Sequence, residues 1–247
     1  MKADPFAQLK LLDVQELDSR HDQLRHRLAT LPQIAELKEL ARQRDEVDNR
    51  ARDVRILVDD LTREQKRADA DVEQVKARRK RDQDRMDQGL ISNPKDLERM
   101  QSELVSLERR IGELEDTELE VMEKLEDAQR ELDELTAQVS ALDERIAEAT
   151  AARDKAAAEI EKQLTETDAE RKQTASGLPE ALMTLYGRLR DQKGGVGAAP
   201  LRARSCGGCS LQLNSSELAD ISKTPSDEVL RCEECNRILV RTSESGI

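Results

Sequence analysis

The sequence predicts a mainly α fold, a long antiparallel coiled-coil hairpin followed by a small C-terminal β-rich module. Three observations carry this reading. The 247 residues are 38% charged and 1% aromatic with no Trp, so they lack the large side chains that fill a thick globular core. Apolar residues recur at alternating spacings of three and four through most of residues 47–149. The four cysteines, Cys206, Cys209, Cys232 and Cys235, stand in the last 42 residues as C-x2-C-x22-C-x2-C, and there are no others.

Residues 6–30 read as a separate or kinked helical piece, because Leu31-Pro32 interrupts the helix there. The first seam follows: Val47, Ala51, Val54, Val58, Leu61, Gln65, Ala68, Val72, Val75, Arg79, Asp82 and Met86. The second runs from Leu97, Met100, Leu104, Leu107, Ile111 and Leu114 through Glu118, Val121, Leu125 and Ala128. It continues to Leu132, Leu135, Val139, Leu142, Ile146 and Ala149. A repeat of 3.5 residues holds one stripe of a helix against a partner, and a disordered charged chain would not keep that register.

Between the seams the chain turns back. Gly89 suits the left-handed position that ends a helix. Asn93 can cap the next one, with Pro94 at its first position and Asp96 near the positive dipole end. Helix two extends to about Lys172, an arm of roughly 110 Å at 1.5 Å per residue. Charge agrees with the pairing. Glu113–Glu148 holds 14 acidic residues against Lys124, Arg130 and Arg145, whereas Arg42–Arg81 holds 13 basic and 10 acidic ones. Opposite balances favour two helices lying side by side, and the basic block Lys76–Arg81 reads as a partner of the acidic helix. The expected organisation is a hairpin over 1–175 (kink near 31–32, tip near 88–94), then a short helix and flexible linker over 176–200. The four-cysteine module takes 201–247.

The short helix spans Leu178–Asp191, with Leu182, Leu185, Tyr186 and Leu189 on one side. Lys193–Gly197 reads as the flexible connection. In the last module Leu211 and Leu213 suggest a short strand after the first cysteine pair. Asn214–Glu217 has capping-box spacing for a helical turn through Leu218 and Ile221. Arg237–Val240 reads as a closing strand, and Asn236 tolerates the left-handed turn that ends the second pair.

Two C-x2-C turns offer four soft thiolates to the corners of a tetrahedron, which points to one Zn2+ per chain in a closed zinc ribbon. Two disulfides would need an oxidising compartment, and Met1–Leu12 has no apolar segment of a secretory signal. A redox C-x-x-C would follow a strand of a βαβ unit and would not come twice. A four-thiolate iron site stays open as the lesser alternative. His21 and His26, five apart on a helix, read as solvated side chains. No apolar run nears the roughly 18 residues of a membrane span, so the expectation is a soluble, cytoplasmic, elongated protein.

The segments ISNPKDLERMQSEL, LPEALMTLYGRLR, CGGCSLQLNSSEL and CEECNRILV resemble the bacterial C4-type zinc-ribbon proteins. In these an N-terminal coiled-coil hairpin carries a C-terminal ribbon. The resemblance covers essentially the whole chain. It departs in the second knuckle, where Glu233 stands for the family's usual Pro and Asn236 for its Gly, which leaves the ligands intact. It implies a non-enzymatic adaptor binding protein or nucleic acid through the ribbon. Some relatives are linked to flagellar or secretion regulation and to an alternative sigma factor.

The sequence favours an adaptor for protein partners, in transcription or RNA handling. No nucleophile–base pair, open metal position or pocket for a small-molecule substrate is visible, so an enzyme is not expected. The alternative is an RNA- or DNA-binding regulator. Cys206–Ile247 has four basic and seven acidic residues, a poor match to phosphate backbones. Arg188, Arg190, Arg202, Arg204 and Arg237 beside it are the candidate nucleic-acid or partner contacts. A third reading, a coiled-coil probe of RNA polymerase, would use Asp84, Asp87 and Asp96 at the tip and ranks last.

Overall fold

The computed structural model describes residues 1–247. Its helices are α1 (Pro5–Ala29), α2 (Pro32–Asp87), α3 (Pro94–Ala175), α4 (Glu180–Gln192) and α5 (Ser215–Lys223). The strands are β1 (Ala198–Arg202), β2 (Ser205–Cys206), β3 (Leu230–Arg231) and β4 (Ile238–Arg241). The chain forms two compact units, an arm (35–150) and a ribbon unit made of 1–34 with 151–247. This division differs from a hairpin running to residue 175. By packing, α1 and the C-terminal part of α3 go with the ribbon.

In the arm, α2 and α3 are joined by a short turn. Gly89 takes φ +66°, and the Asn93 side chain accepts from the Lys95 N–H at 3.1 Å, opening α3 at Pro94. Every expected seam position of both helices is buried or half-buried except Arg79. Leu61, Leu125 and Ala128 form a tight cluster with Val58 against it. Ion pairs flank the seam: Arg44–Asp143 at 3.1 Å, Arg50–Glu131 at 3.4 Å and Lys76–Glu115 at 2.7 Å, with Arg78–Glu103 and Arg79–Glu108 nearer the turn. The basic block 76–81 therefore meets the acidic helix. Exposed pairs of this kind contribute about 0.2–1 kcal/mol each, so they fix register more than they supply stability.

In the ribbon unit the four strands lie in the order β2-β1-β4-β3. β1 and β4 run parallel, pairing Ala198 with Ile238 and Leu201 with Arg241, and the two outer pairings are antiparallel. Alternation along the strands divides the side chains between two faces. Ala198, Ile238 and Val240 face a core with Leu11 and Val14 of α1 and Leu182, Tyr186 and Leu189 of α4. Ala199, Leu201 and Leu239 face the cysteines, with Leu213 and Ile221. A sheet covered on both faces explains why Ile238, Leu239 and Val240 are all buried.

The N-terminus joins the same sheet region. The Ala3 N–H donates to Asp227 O at 2.8 Å, and Val229 N–H donates to Met1 O at 3.0 Å. The supposed flexible linker 193–197 is tied down. Gln15 of α1 accepts from the Gly197 N–H at 2.7 Å and donates to Gly195 O at 3.0 Å. Gly197 is buried against α4, where a Cβ would stand 2.6 Å from Tyr186 O, so the close approach requires glycine.

Candidate metal centre

Each cysteine pair sits on a knuckle of the same backbone design. In the first, the Ser210 N–H donates to Cys206 O at 2.8 Å with Ser210 at φ 63°. In the second, the Asn236 N–H donates to Cys232 O at 2.9 Å with Asn236 at φ 64°. The expected left-handed Asn236 thus has an equivalent in Ser210, which the sequence reading missed. The repeat of the knuckle was the available signal. Gly207 and Gly208 admit Pro200 and Arg237 at distances a Cβ would close to 3.0 and 2.7 Å.

The knuckles bring the four sulfurs together, all within 4.8 Å of one another. Cys206 Sγ stands 3.9 Å from Cys235 Sγ, and Cys209 Sγ 3.9 Å from Cys232 Sγ. Four thiolates about 2.3 Å from one zinc, at tetrahedral angles, are about 3.8 Å apart. The donor set therefore fits Zn2+ in chemistry and spacing. Cys206 and Cys232 are buried and Cys209 and Cys235 half-buried. Burial pushes the Cys206 thiol up and the Cys232 thiol up to about 12. Burial also pushes Cys235 up, but hydrogen bonds from Arg237 and the neighbouring thiols outweigh it and hold Cys235 at about 7. Four thiolates gathered in this space need a cation to balance them, and a bound Zn2+ supplies that charge.

The sequence-predicted arginines are not gathered in the same way. Arg188 is exposed. Arg190 donates to Asp22 of α1 at 2.6 Å. Arg202 pairs with Glu244 at 2.5 Å, and Arg204 donates to Gly246 O at 3.0 Å. Arg237 is consumed within the fold, donating to the carbonyls of Val196 and Lys193, each at 2.9 Å. Arg241 likewise donates to Thr224 O at 2.7 Å and Pro225 O at 2.6 Å. Of the tip carboxylates, Asp87 accepts from Gln83 at 3.0 Å and Asp96 lies 3.9 Å from Arg99.

The helix beside the ribbon follows its expected cap: Asn214 accepts from the Glu217 N–H at 2.8 Å. The reciprocal bond of a full capping box is not made, and Glu217 Oε1 has no partner. Sequence reasoning also missed Asp18, a carboxylate in the α1 core. It accepts from Arg171 at 2.5 Å and from the Tyr186 hydroxyl at 2.7 Å. Its spacing from Leu11 and Val14 was the signal, since a carboxylate on an apolar stripe demands partners.

Residues 205–239 match the C4-type zinc ribbon domain, and residues 14–194 match the CT398-like coiled coil hairpin domain. Protein Rv2229c of Mycobacterium tuberculosis is 34% identical over 241 residues, 98% of each chain. Protein ML1638 of Mycobacterium leprae is 28% identical over 226 residues, 90% of this chain and 95% of that one. A solved structure from Mycobacterium smegmatis is 33% identical with a TM-score of 0.86, covering 98% of this chain and 100% of its own. CT398 of Chlamydia trachomatis shares the fold at 18% identity, with a TM-score of 0.69 and coverage of 96% and 98%. The chain belongs to the CT398-like coiled-coil hairpin family and carries a C-terminal C4-type zinc ribbon for one zinc ion.

Proposed function

We propose that this protein is a non-enzymatic adaptor whose arm and ribbon bind other proteins, with zinc in a purely structural role. The observation that carries the reading is the closed donor set. Four cysteines of one chain fill a tetrahedron and leave no position for substrate or water, unlike the three-ligand sites of zinc catalysis. The sulfurs also pack with Leu213, Ile221 and Leu239, so the site is part of a core. The arm adds a two-helix seam with charged flanks, a surface suited to partner proteins. A place in transcription or RNA handling is part of the same proposal, and what supports it is the family resemblance alone. No helix is long and apolar enough to cross a membrane.

Nucleic-acid binding is the weaker reading, because Arg190, Arg237 and Arg241 are engaged by their own fold. Its proper test replaces the outward residues Arg188, Arg202 and Arg204 with Glu. Crosslinking of the zinc-loaded protein in native cells, with and without nuclease, separates the two. The adaptor reading expects discrete protein partners that survive nuclease. Partners lost on nuclease treatment, together with salt-sensitive RNA or DNA binding abolished in the triple variant, would replace it with the second reading.

A further inference from the structure

Arg237 reads from the sequence as a candidate nucleic-acid or partner contact, but its half-buried side chain joins three segments around the metal centre. Its backbone carbonyl accepts from the Cys232 N–H at 3.1 Å, closing the second knuckle. Its side chain then crosses the first knuckle at Gly208, where a Cβ would stand 2.7 Å from Arg237 Cδ. Gly208 lies between Cys206 and Cys209, and its N–H donates to Cys206 Sγ at 3.4 Å. Beyond it the guanidinium donates to Val196 O and Lys193 O, each at 2.9 Å, and Lys193 caps the C-terminus of α4. A further hydrogen bond reaches the Cys235 sulfur. The neighbouring arginines act more locally. Arg231 donates to Asn236 O at 3.2 and 3.0 Å, and Arg241 donates to carbonyls between Ile221 and Glu228.

We propose that Arg237 is a positioning residue of the zinc centre, a cationic clamp that holds both knuckles in ligating geometry and slows loss of the metal. Each knuckle supplies two of the four sulfurs, so zinc leaves only when the knuckles part. A side chain that braces one knuckle against the other, and both against the linker, opposes that motion. Charge acts in the same direction. Four thiolates around one Zn2+ leave two uncompensated negative charges, and the exposed Glu233 and Glu234 of the second knuckle add to them. A guanidinium stays protonated throughout the range in which proteins fold, and its planar fork serves two carbonyls at once. Lysine at this position would supply the charge without the fork, and glutamine would supply neither.

Release of zinc from the reconstituted full chain to an excess of chromogenic chelator tests this, with Arg237→Lys and Arg237→Gln beside wild type. Both variants should keep the helical circular dichroism of wild type. Arg237→Gln should release the metal about tenfold faster or more, as expected when a residue that braces metal ligands is removed, and Arg237→Lys by a smaller factor. The Co2+-substituted protein reads the charge separately. A cation beside the sulfurs lowers the energy of their lone pairs, so Arg237→Gln should move the thiolate-to-cobalt charge-transfer absorption to longer wavelength, with Arg237→Lys near wild type. Should Arg237→Gln not fold, Arg237→Lys decides on release rate alone. Release at the wild-type rate in either folded variant would overturn the clamp. Equal acceleration in both, with an unmoved absorption band, would overturn the cationic role and leave Arg237 a packing contact.

Discussion

At the residue scale, Tyr186 shows how one polar group organises the ribbon unit. It is the only Tyr in the chain, it is fully buried, and its hydroxyl donates to the buried Asp18. Burial and that hydrogen bond push its pKa well above the usual tyrosine value. The unfolded chain therefore loses its phenolic proton first. The stabilisation is fully present below about pH 10 and is lost as pH climbs above it. Tyr186→Phe leaves Asp18 short of one donor and should cost about 1.5–3 kcal/mol by denaturant unfolding. The same substitution should flatten the loss of stability above pH 10, and an unaltered alkaline profile would contradict this assignment. Gly197 is as demanding for a steric reason. Gly197→Ala forces a methyl onto the Tyr186 carbonyl and should cost about 1–3 kcal/mol, read as a lowered unfolding midpoint.

At the element scale, helices with long periodic seams were legible and short strands were not. Val47–Ala149 states the arm outright, because each apolar residue recurs where a facing helix needs it. Leu125→Ala, at the cluster with Leu61 and Val58, should destabilise the arm by about 2 kcal/mol without moving the zinc content. The turn at Gly89 and Asn93 was equally plain, since each residue has a conformational task few others perform. β1 was hidden. Ala198-Ala199-Pro200 has little strand propensity, and it is a strand only because β4 pairs with it and two cores cover it. The linker misread has the same cause. Three glycines over 194–197 suggest freedom, whereas Gln15, 180 residues earlier, takes up their backbone groups. Long-range partners of that kind leave no local trace in a sequence.

At the scale of the whole molecule, the metal ligands were legible and their setting was not. The spacing C-x2-C-x22-C-x2-C specified a four-thiolate site, but it presented the ribbon as an appendage at the end of a linker. The structure makes it half of a compact unit. One face of its sheet packs the cysteines, and the other packs α1 and α4 from far along the chain. Holding the sheet together is therefore the zinc's contribution to residues that never touch it. Cys232→Ser should abolish the bound zinc and lower the stability of the ribbon unit, measured as metal content and as protease resistance of α1.

Hydrogen exchange of the full chain, before and after zinc removal by a chelator, tests this shared core most directly. With a shared core, α1 and α4 should lose protection together with β1, β4 and α5, while residues 35–150 keep theirs. Loss of protection confined to residues 198–247, with α1 and α4 unchanged, would contradict it.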